Sequence, residues 1–198
     1  YLIKANELSQ QRKATAQTLS AEISEVMQTL GMQGGQFDIT ISSFQEESSF
    51  TRKGIDQIEF LVSANPGQPL RPIGKVASGG ELSRISLAIQ VILSESSQIP
   101  TLIFDEVDSG IGGGIAEIVG RKLREIGKHR QVFCVTHLPQ VATQAHQHYL
   151  VNKSKSTDST TTEILILTPQ QRQEEIARML GGLTITEQSR AHAQQMID

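Results

Sequence analysis

The chain is poor both in the residues that cross-link secreted proteins and in those that stack on bases. It holds one cysteine, Cys134, in 198 residues, so no internal disulfide can form and nothing calls for an oxidising compartment. Tryptophan is absent, aromatics make up 4%, and no aromatic-basic interleaving occurs, which argues against sequence-specific nucleic-acid readout. No apolar run approaches the roughly 18 residues that a bilayer span needs. A formal net charge of -3 excludes a generally basic coat and leaves room only for a local basic patch. Hydrophobic residues at 37% with 16 Gly place the chain at the edge of the globular norm, enough for one domain or a lobe of a larger one. It opens Tyr1-Leu2-Ile3, with no initiator Met and no charged-then-apolar signal segment, and reads as a piece of a longer protein.

What is present falls into two stretches. From Ala5 to Leu30 there is no Gly or Pro, and Leu19, Ile23, Val26 and Leu30 form an a/d seam that weakens upstream at Arg12 and Thr15. This is either an ordinary amphipathic helix or the end of a truncated coiled coil. Gly31–Gly35 breaks it. Phe37, Ile39 and Ile41, then Ile58, Phe60 and Val62, alternate with polar residues, and predict an antiparallel strand pair. Beyond residue 77 a nearly all-apolar helix over 82–93 is expected to be buried on most sides. The continuous runs Thr101–Phe104 and Val132–Val135, joined through a helix with Ile115, Ile118, Val119, Leu123 and Ile126 on one face, predict parallel strands covered on both faces. Strands near Tyr149–Val151 and Glu163–Leu167 flank a polar Lys/Ser/Thr loop. Thr168, Pro169 and Gln171 start a helix with a capping box that ends at Leu180, before Gly181-Gly182, and Glu187–Ile197 forms a last helix.

Four features carry possible chemistry. Ser78-Gly79-Gly80-Glu81 precedes the buried helix, either as a capped turn or as an anion site where glycines admit a ligand to unpaired N–H groups. Asp105-Glu106 ends an apolar strand, where ligands gather in open parallel sheets. The first acid there can hold Mg²⁺ through water and the second can orient an attacking water, or both are solvated acids. His137 follows the next run and is either a surface histidine or a phosphate contact at the same sheet edge. Ser109–Gly114 fails the dinucleotide fingerprint, because the third glycine position falls on Ile115 or Glu117. Its glycines suit a tight loop against which another surface packs.

In this order and spacing the features resemble the C-terminal lobe of an ABC-type ATPase head of the SMC-like branch. The resemblance makes Ser78, Gly79, Gly80 and Glu81 the signature motif, binding the γ-phosphate of ATP held by a partner head. It makes Asp105 the Mg²⁺ residue, Glu106 the catalytic acid, Ser109 and Gly110 part of the D-loop, and His137 the switch histidine. Ala77–Arg84, Phe104–Asp108, Gly110-Ile111, Thr136–Ala142 and Glu175–Gly182 resemble in particular a bacterial DNA-repair member of the branch. Glu81, where transporters often have Gln, agrees with that branch; Gly112, where many heads have Asp, departs from it.

No Gly-x-x-x-x-Gly-Lys-Ser/Thr loop occurs, since Gly74-Lys75 and Gly127-Lys128 lack both the upstream Gly and the hydroxyl. The resemblance therefore implies an α/β half-head: residues 1–30 a coiled-coil stub, residues 31–198 the C-terminal lobe. An N-terminal lobe of the same protein would complete it, with a second head as homodimer partner. It further implies ATP and Mg²⁺ as cofactors, DNA double-strand breaks as the object of the full-length protein, a cytoplasmic, nucleoid-associated location and no membrane partner. The chain alone is expected to be inactive. A transporter ATPase subunit would carry the phosphate loop in the same head and no coil. Another SMC-like chromosome protein head remains an alternative, and a non-catalytic module is disfavoured because Asp105, Glu106 and His137 occur together. Arg121, Lys122, Arg124, Lys128 and Arg130 form a basic cluster that is either a solvated helix end or a DNA contact. His146 and His148, without acidic or Cys partners nearby, make a poor metal site.

Overall fold

The computed structural model describes residues 1–76, 78–94, 99–155, 160–181 and 184–198. Ala77, Gly182 and the centre of the Lys/Ser/Thr loop, all named above, lie outside the described residues. The chain forms two compact units, Tyr1–Ile99 with Asp105–Ser109, and Pro100–Phe104 with Gly110–Asp198.

In the first unit, helix α1 (Leu2–Thr29) runs without a breaker until Gly31, whose φ of 84° suits glycine. Strands β1 (Gln36–Ser43) and β2 (Asp56–Ser63) pair antiparallel as the alternation predicts, with Phe37 opposite Val62, Ile39 opposite Phe60 and Ile41 opposite Ile58. A short β3 (Arg71–Pro72), too brief to leave a periodic signal, adds to β2. The free edge of β1 is covered by α1 through a polar ladder. Phe37 N–H donates to Ser24 Oγ at 2.9 Å, Ile39 N–H to Ser20 Oγ at 3.0 Å, and Gln28 Nε2 to the Gly35 carbonyl at 2.8 Å. Residues four apart share one helix face, so Ser20, Ser24 and Gln28 meet successive backbone groups of an otherwise unpaired strand edge.

Farther along, Asp56 ties the helix to both strands. Its side chain has no exposed surface and accepts from Ser9 Oγ (2.8 Å), Ser43 Oγ (2.9 Å) and Arg12 Nη1 (3.0 Å). Burial pushes the Asp56 carboxyl up, but the hydrogen bonds from Ser9, Arg12 and Ser43 outweigh it and hold the group below the ordinary carboxylate range. Ile23 and Leu30 of the expected seam are buried, and the buried stripe continues upstream through Ala16, Ser9 and Ala5. These small residues let the helix approach the sheet, while Arg12 supplies an ion pair.

Helix α2 (Gly79–Ile92) also belongs to this unit and packs on α1. It is less enclosed than its composition predicts. Ile85, Leu87 and Ala88 are buried and so is Arg84, whereas Leu82 is 42% exposed.

In the second unit, β4 (Thr101–Phe104) and β5 (Gln131–Cys134) are parallel and joined through helix α3 (Gly113–Ile126). The expectation that both faces are covered does not hold. Phe104 is buried, but Ile103 is 73% and Val135 61% exposed, because alternate side chains of a strand point to opposite faces and only one face is covered. Among the described residues, parallel pairing is confined to these two strands. A one-turn helix α4 (Pro139–Ala142) follows, then the antiparallel hairpin β6 (Tyr149–Lys155) and β7 (Thr160–Ile166). Helix α5 (Pro169–Gly181) starts with the expected reciprocal cap, Thr168 N–H to Gln171 Oε1 at 2.9 Å and Gln171 N–H to Thr168 Oγ1 at 3.3 Å. It packs on α6 (Glu187–Ile197) around Ile176, Ala177 and Ala193. Arg172 of α5 donates to the carbonyls of Thr143 (2.8 Å) and Ala145 (2.7 Å), capping the exit of α4.

Candidate functional site

Ser78, Gly79, Gly80, Glu81, Asp105, Glu106 and Ser109 all lie in the first unit, whereas Gly110 and His137 lie in the second. Ser78 caps α2, its Oγ accepting from Glu81 N–H at 3.3 Å, so the serine has the role a helix N-cap requires. In an α-helix the N–H groups that follow the cap have no intrahelical acceptor, and the macrodipole adds partial positive charge there. Ser78 and Gly79 are exposed and Gly80 is buried.

The segment Asp105–Ser109 folds against this helix start. Ser83 Oγ donates to the Asp105 carbonyl at 2.7 Å, and Arg84 Nη1 donates to the Ser109 carbonyl at 2.8 Å. Between these anchors, Ser109 N–H closes a turn on the Glu106 carbonyl at 3.0 Å. Val107 (0% exposed) and Asp108 (2%) are turned inward. The two glycines leave room for this approach, Gly80 against backbone and a short side chain and Gly79 against the end of the Glu106 side chain. A Cβ at Gly79 would overlap Glu106 Oε2, and one at Gly80 would lie 2.9 Å from Ser109 Cβ and 3.2 Å from the Glu106 carbonyl.

Asp105 and Glu106 are exposed. Asp105 Oδ1 accepts from Glu106 N–H at 2.9 Å. Glu106 has φ 57°, the only positive φ at a non-glycine among the described residues, in the left-handed region that side chains rarely adopt. Such backbone persists where its surroundings over-determine it, and it clusters at functional sites. Burial lowers the pKa of Arg84, with Glu81 acting in the opposite sense.

In the second unit, Phe104 lies opposite Cys134 and accepts from Val135 N–H at 2.9 Å, so β4 and β5 leave the sheet at the same, carboxyl, edge. His137 follows that exit and is exposed, in a turn where Leu138 N–H donates to Thr136 Oγ1 at 3.0 Å. Gly110 has φ 74°, and side chains built at Gly110, Gly112, Gly113 and Gly114 would meet nothing within 4 Å among the described residues. Among the described residues, the close packing expected of that loop is therefore not made. The basic cluster is largely spoken for. Arg121 pairs with Glu117, Lys122 with Glu125 at 3.1 Å, and Arg124 donates to the Gln144 carbonyl at 2.7 Å. Among the described residues there is no cluster of three potential metal-ligating side chains, and no helix is long and apolar enough to cross a membrane.

Ser83 and Arg84 are the residues a reading for chemistry passes over. The signal was a guanidinium inside an apolar helix stretch, since a buried Arg needs an acceptor. The site's residues suit ATP and Mg²⁺. The glycine pair lies at a dipole-positive helix start, and the exposed aspartate, beyond its bond to Glu106 N–H, keeps its second oxygen uncommitted among the described residues.

No protein-family model matches the chain. The Smc head domain with a coiled coil and joint from Pyrococcus yayanosii superposes with a TM-score of 0.57 at 17% identity, over 86% of this chain and 31% of that one. The fold is that of an SMC-type ATPase head. DNA repair protein RecN of Xylella fastidiosa (strain 9a5c) is 48% identical over 98% of this chain and 34% of its own length. RecN of Vibrio cholerae is 47% identical over 100% of this chain and 35% of its own. The chain belongs to the RecN family and spans about a third of the length of the curated relatives it matches.

Proposed function

We propose that this chain is the C-terminal lobe of a RecN-like ATPase head, acting in recombinational repair of DNA double-strand breaks once an N-terminal lobe and a second head complete it. The observation that supports this most directly is the docking of the Asp105–Ser109 loop on the start of α2 in a chain half identical to RecN over its length. The open apolar face of Ile103, Phe133 and Val135 is one that the N-terminal lobe would cover. In this reading α1 is the root of a coil entering the head, 1–30 its stub and 31–198 the lobe. The protein works in the bacterial cytoplasm at the nucleoid.

Each residue has a task its chemistry allows. Ser78 Oγ and the N–H groups at the start of α2 offer donors to the terminal phosphate of ATP in the partner head, with Glu81 holding the capped turn. Ser109 and Gly110 lie along the junction of the two heads. Within one head, Asp105 would hold Mg²⁺ through water, Glu106 would accept the proton of the attacking water, and His137 would contact the γ-phosphate. Mg²⁺, when bound with ATP, neutralises charge on the phosphate oxygens. Phosphoryl transfer depends chiefly on positioning and charge stabilisation, so half the constellation should do almost nothing.

Two experiments test the reading. In the full-length protein Glu106→Gln is expected to lower turnover by about 10²–10⁴-fold, and the isolated chain to hydrolyse ATP negligibly. Unchanged turnover in that variant, or activity in the pure chain abolished by it, overturns the assignment. Ser78→Arg is expected to spare ATP binding and block ATP-driven pairing of heads, read by analytical ultracentrifugation. Persistent pairing removes the signature from the trans site.

A further inference from the structure

Two consecutive side chains of α2 grip the two ends of the acid loop. Ser83 holds the carbonyl of Asp105 (2.7 Å) and Arg84 that of Ser109 (2.8 Å). Arg84 is only 6% exposed, and its Nε has no hydrogen-bond partner among the described residues. Core packing alone does not account for it. An apolar side chain would fill the same space beside Ile85, Leu87 and Ala88 without the cost of desolvating a guanidinium. What the guanidinium adds is a directed bond to the loop. The loop needs one, because Glu106 sits in left-handed backbone and has to be held there. At the other end of the same helical turn, the carboxylate of Glu106 lies against Gly79, with no space left for a methyl group. Close contact there and the two hydrogen bonds from Ser83 and Arg84 together hold the start of α2 against the loop.

We propose that Ser83 and Arg84 are positioning residues that make the signature turn and the acid loop one body, so that engagement of a partner's nucleotide by Ser78–Gly80 sets the position of Glu106 in the same chain. Each head's acid is then aligned by the nucleotide of the opposite site, and hydrolysis at the two sites is coupled through this helix turn. The inference rests on the reading of Glu106 as the acid acting on water, and its test separates the two.

In the full-length protein, Ser83→Ala and Arg84→Lys are expected to lower kcat by about 10- to 100-fold, the size of a roughly 1 Å misplacement. KM for ATP, ATP-driven pairing of heads and the thermal midpoint should stay near wild type, and Ser83→Thr, which keeps the hydroxyl, should retain most of the rate. A role in folding alone would instead lower the midpoint and nucleotide binding together with kcat, and that result overturns the proposal. If Glu106→Gln abolishes turnover while both variants keep kcat within about twofold, the coupling fails and the acid stands. If Glu106→Gln leaves turnover intact, the reading of the acid fails and the coupling with it.

Discussion

The two units leave their sheets in different states, one with a strand edge closed and one with an apolar face open. In the first, the free edge of β1 is closed by Ser20, Ser24 and Gln28 of α1, and the acid Asp56 is buried with Ser9, Ser43 and Arg12 around it. In the second, β4 and β5 leave Ile103, Phe133 and Val135 in solvent, and the hairpin β6–β7 exposes Val151, Ile164 and Ile166. The backbone groups at the β1 edge and the carboxylate of Asp56 are satisfied within their own unit. Apolar area, which tolerates water at a moderate cost per residue, is what remains open. The difference teaches what each sheet has settled within its own unit: β1 has its edge closed by α1, whereas the β4–β5 pair presents an apolar face that asks for a covering layer.

That contrast can be broken most forcefully at Asp56. Asp56→Ala strips three hydrogen bonds from a buried centre and leaves the Arg12 guanidinium without its carboxylate. It should cost about 3 kcal/mol in urea unfolding, and a loss under about 1 kcal/mol would mean that the polar tie between helix and sheet is ornamental. Ile103→Lys sharpens the other side. In the isolated chain it should change stability by no more than about 0.5 kcal/mol, because the side chain is already exposed. In the full-length protein it should cost on the order of 3 kcal/mol. Equal effects in both would show that nothing covers this face.

The smallest effect is a pH dependence. The native carboxyl of Asp56 lies below its unfolded value, so its contribution is complete above the unfolded pKa of about 3.9. It is lost as pH falls through the lower native value. The stability gap between wild type and Asp56→Asn should therefore be constant from neutral pH to about pH 5 and close below about pH 4. A gap that widens on acidification would reverse the assigned direction.

Much of this architecture was readable residue by residue. The alternation of Phe37, Ile39 and Ile41 with polar neighbours is a local property and yielded the β1–β2 pair; Thr168, Pro169 and Gln171 marked the start of α5 by the same kind of logic. Of the site, Ser78 as a cap and the two acids at the end of β4 were legible from composition and position. Arg12 and Thr15 read as a weakening of the α1 seam, yet Arg12 is a partner of Asp56, which is remote in sequence. Leu82 looked buried among apolar neighbours, but Arg84 has the inward position.

The amino-acid sequence alone determined where the longer helices and strands form, how α5 is capped, and that an acid pair, a glycine-rich helix start and a histidine occur in one order. These depend on neighbours a few residues apart, whose geometry is set by backbone sterics and the periods of helix and strand. Only the tertiary structure decided that Ser83 and Arg84 grip the acid loop, that Gly79 makes room for Glu106, and that one face of β4–β5 stays open. Those outcomes depend on which remote groups arrive at the same place, and no local pattern records the desolvation and close packing that select the pairing.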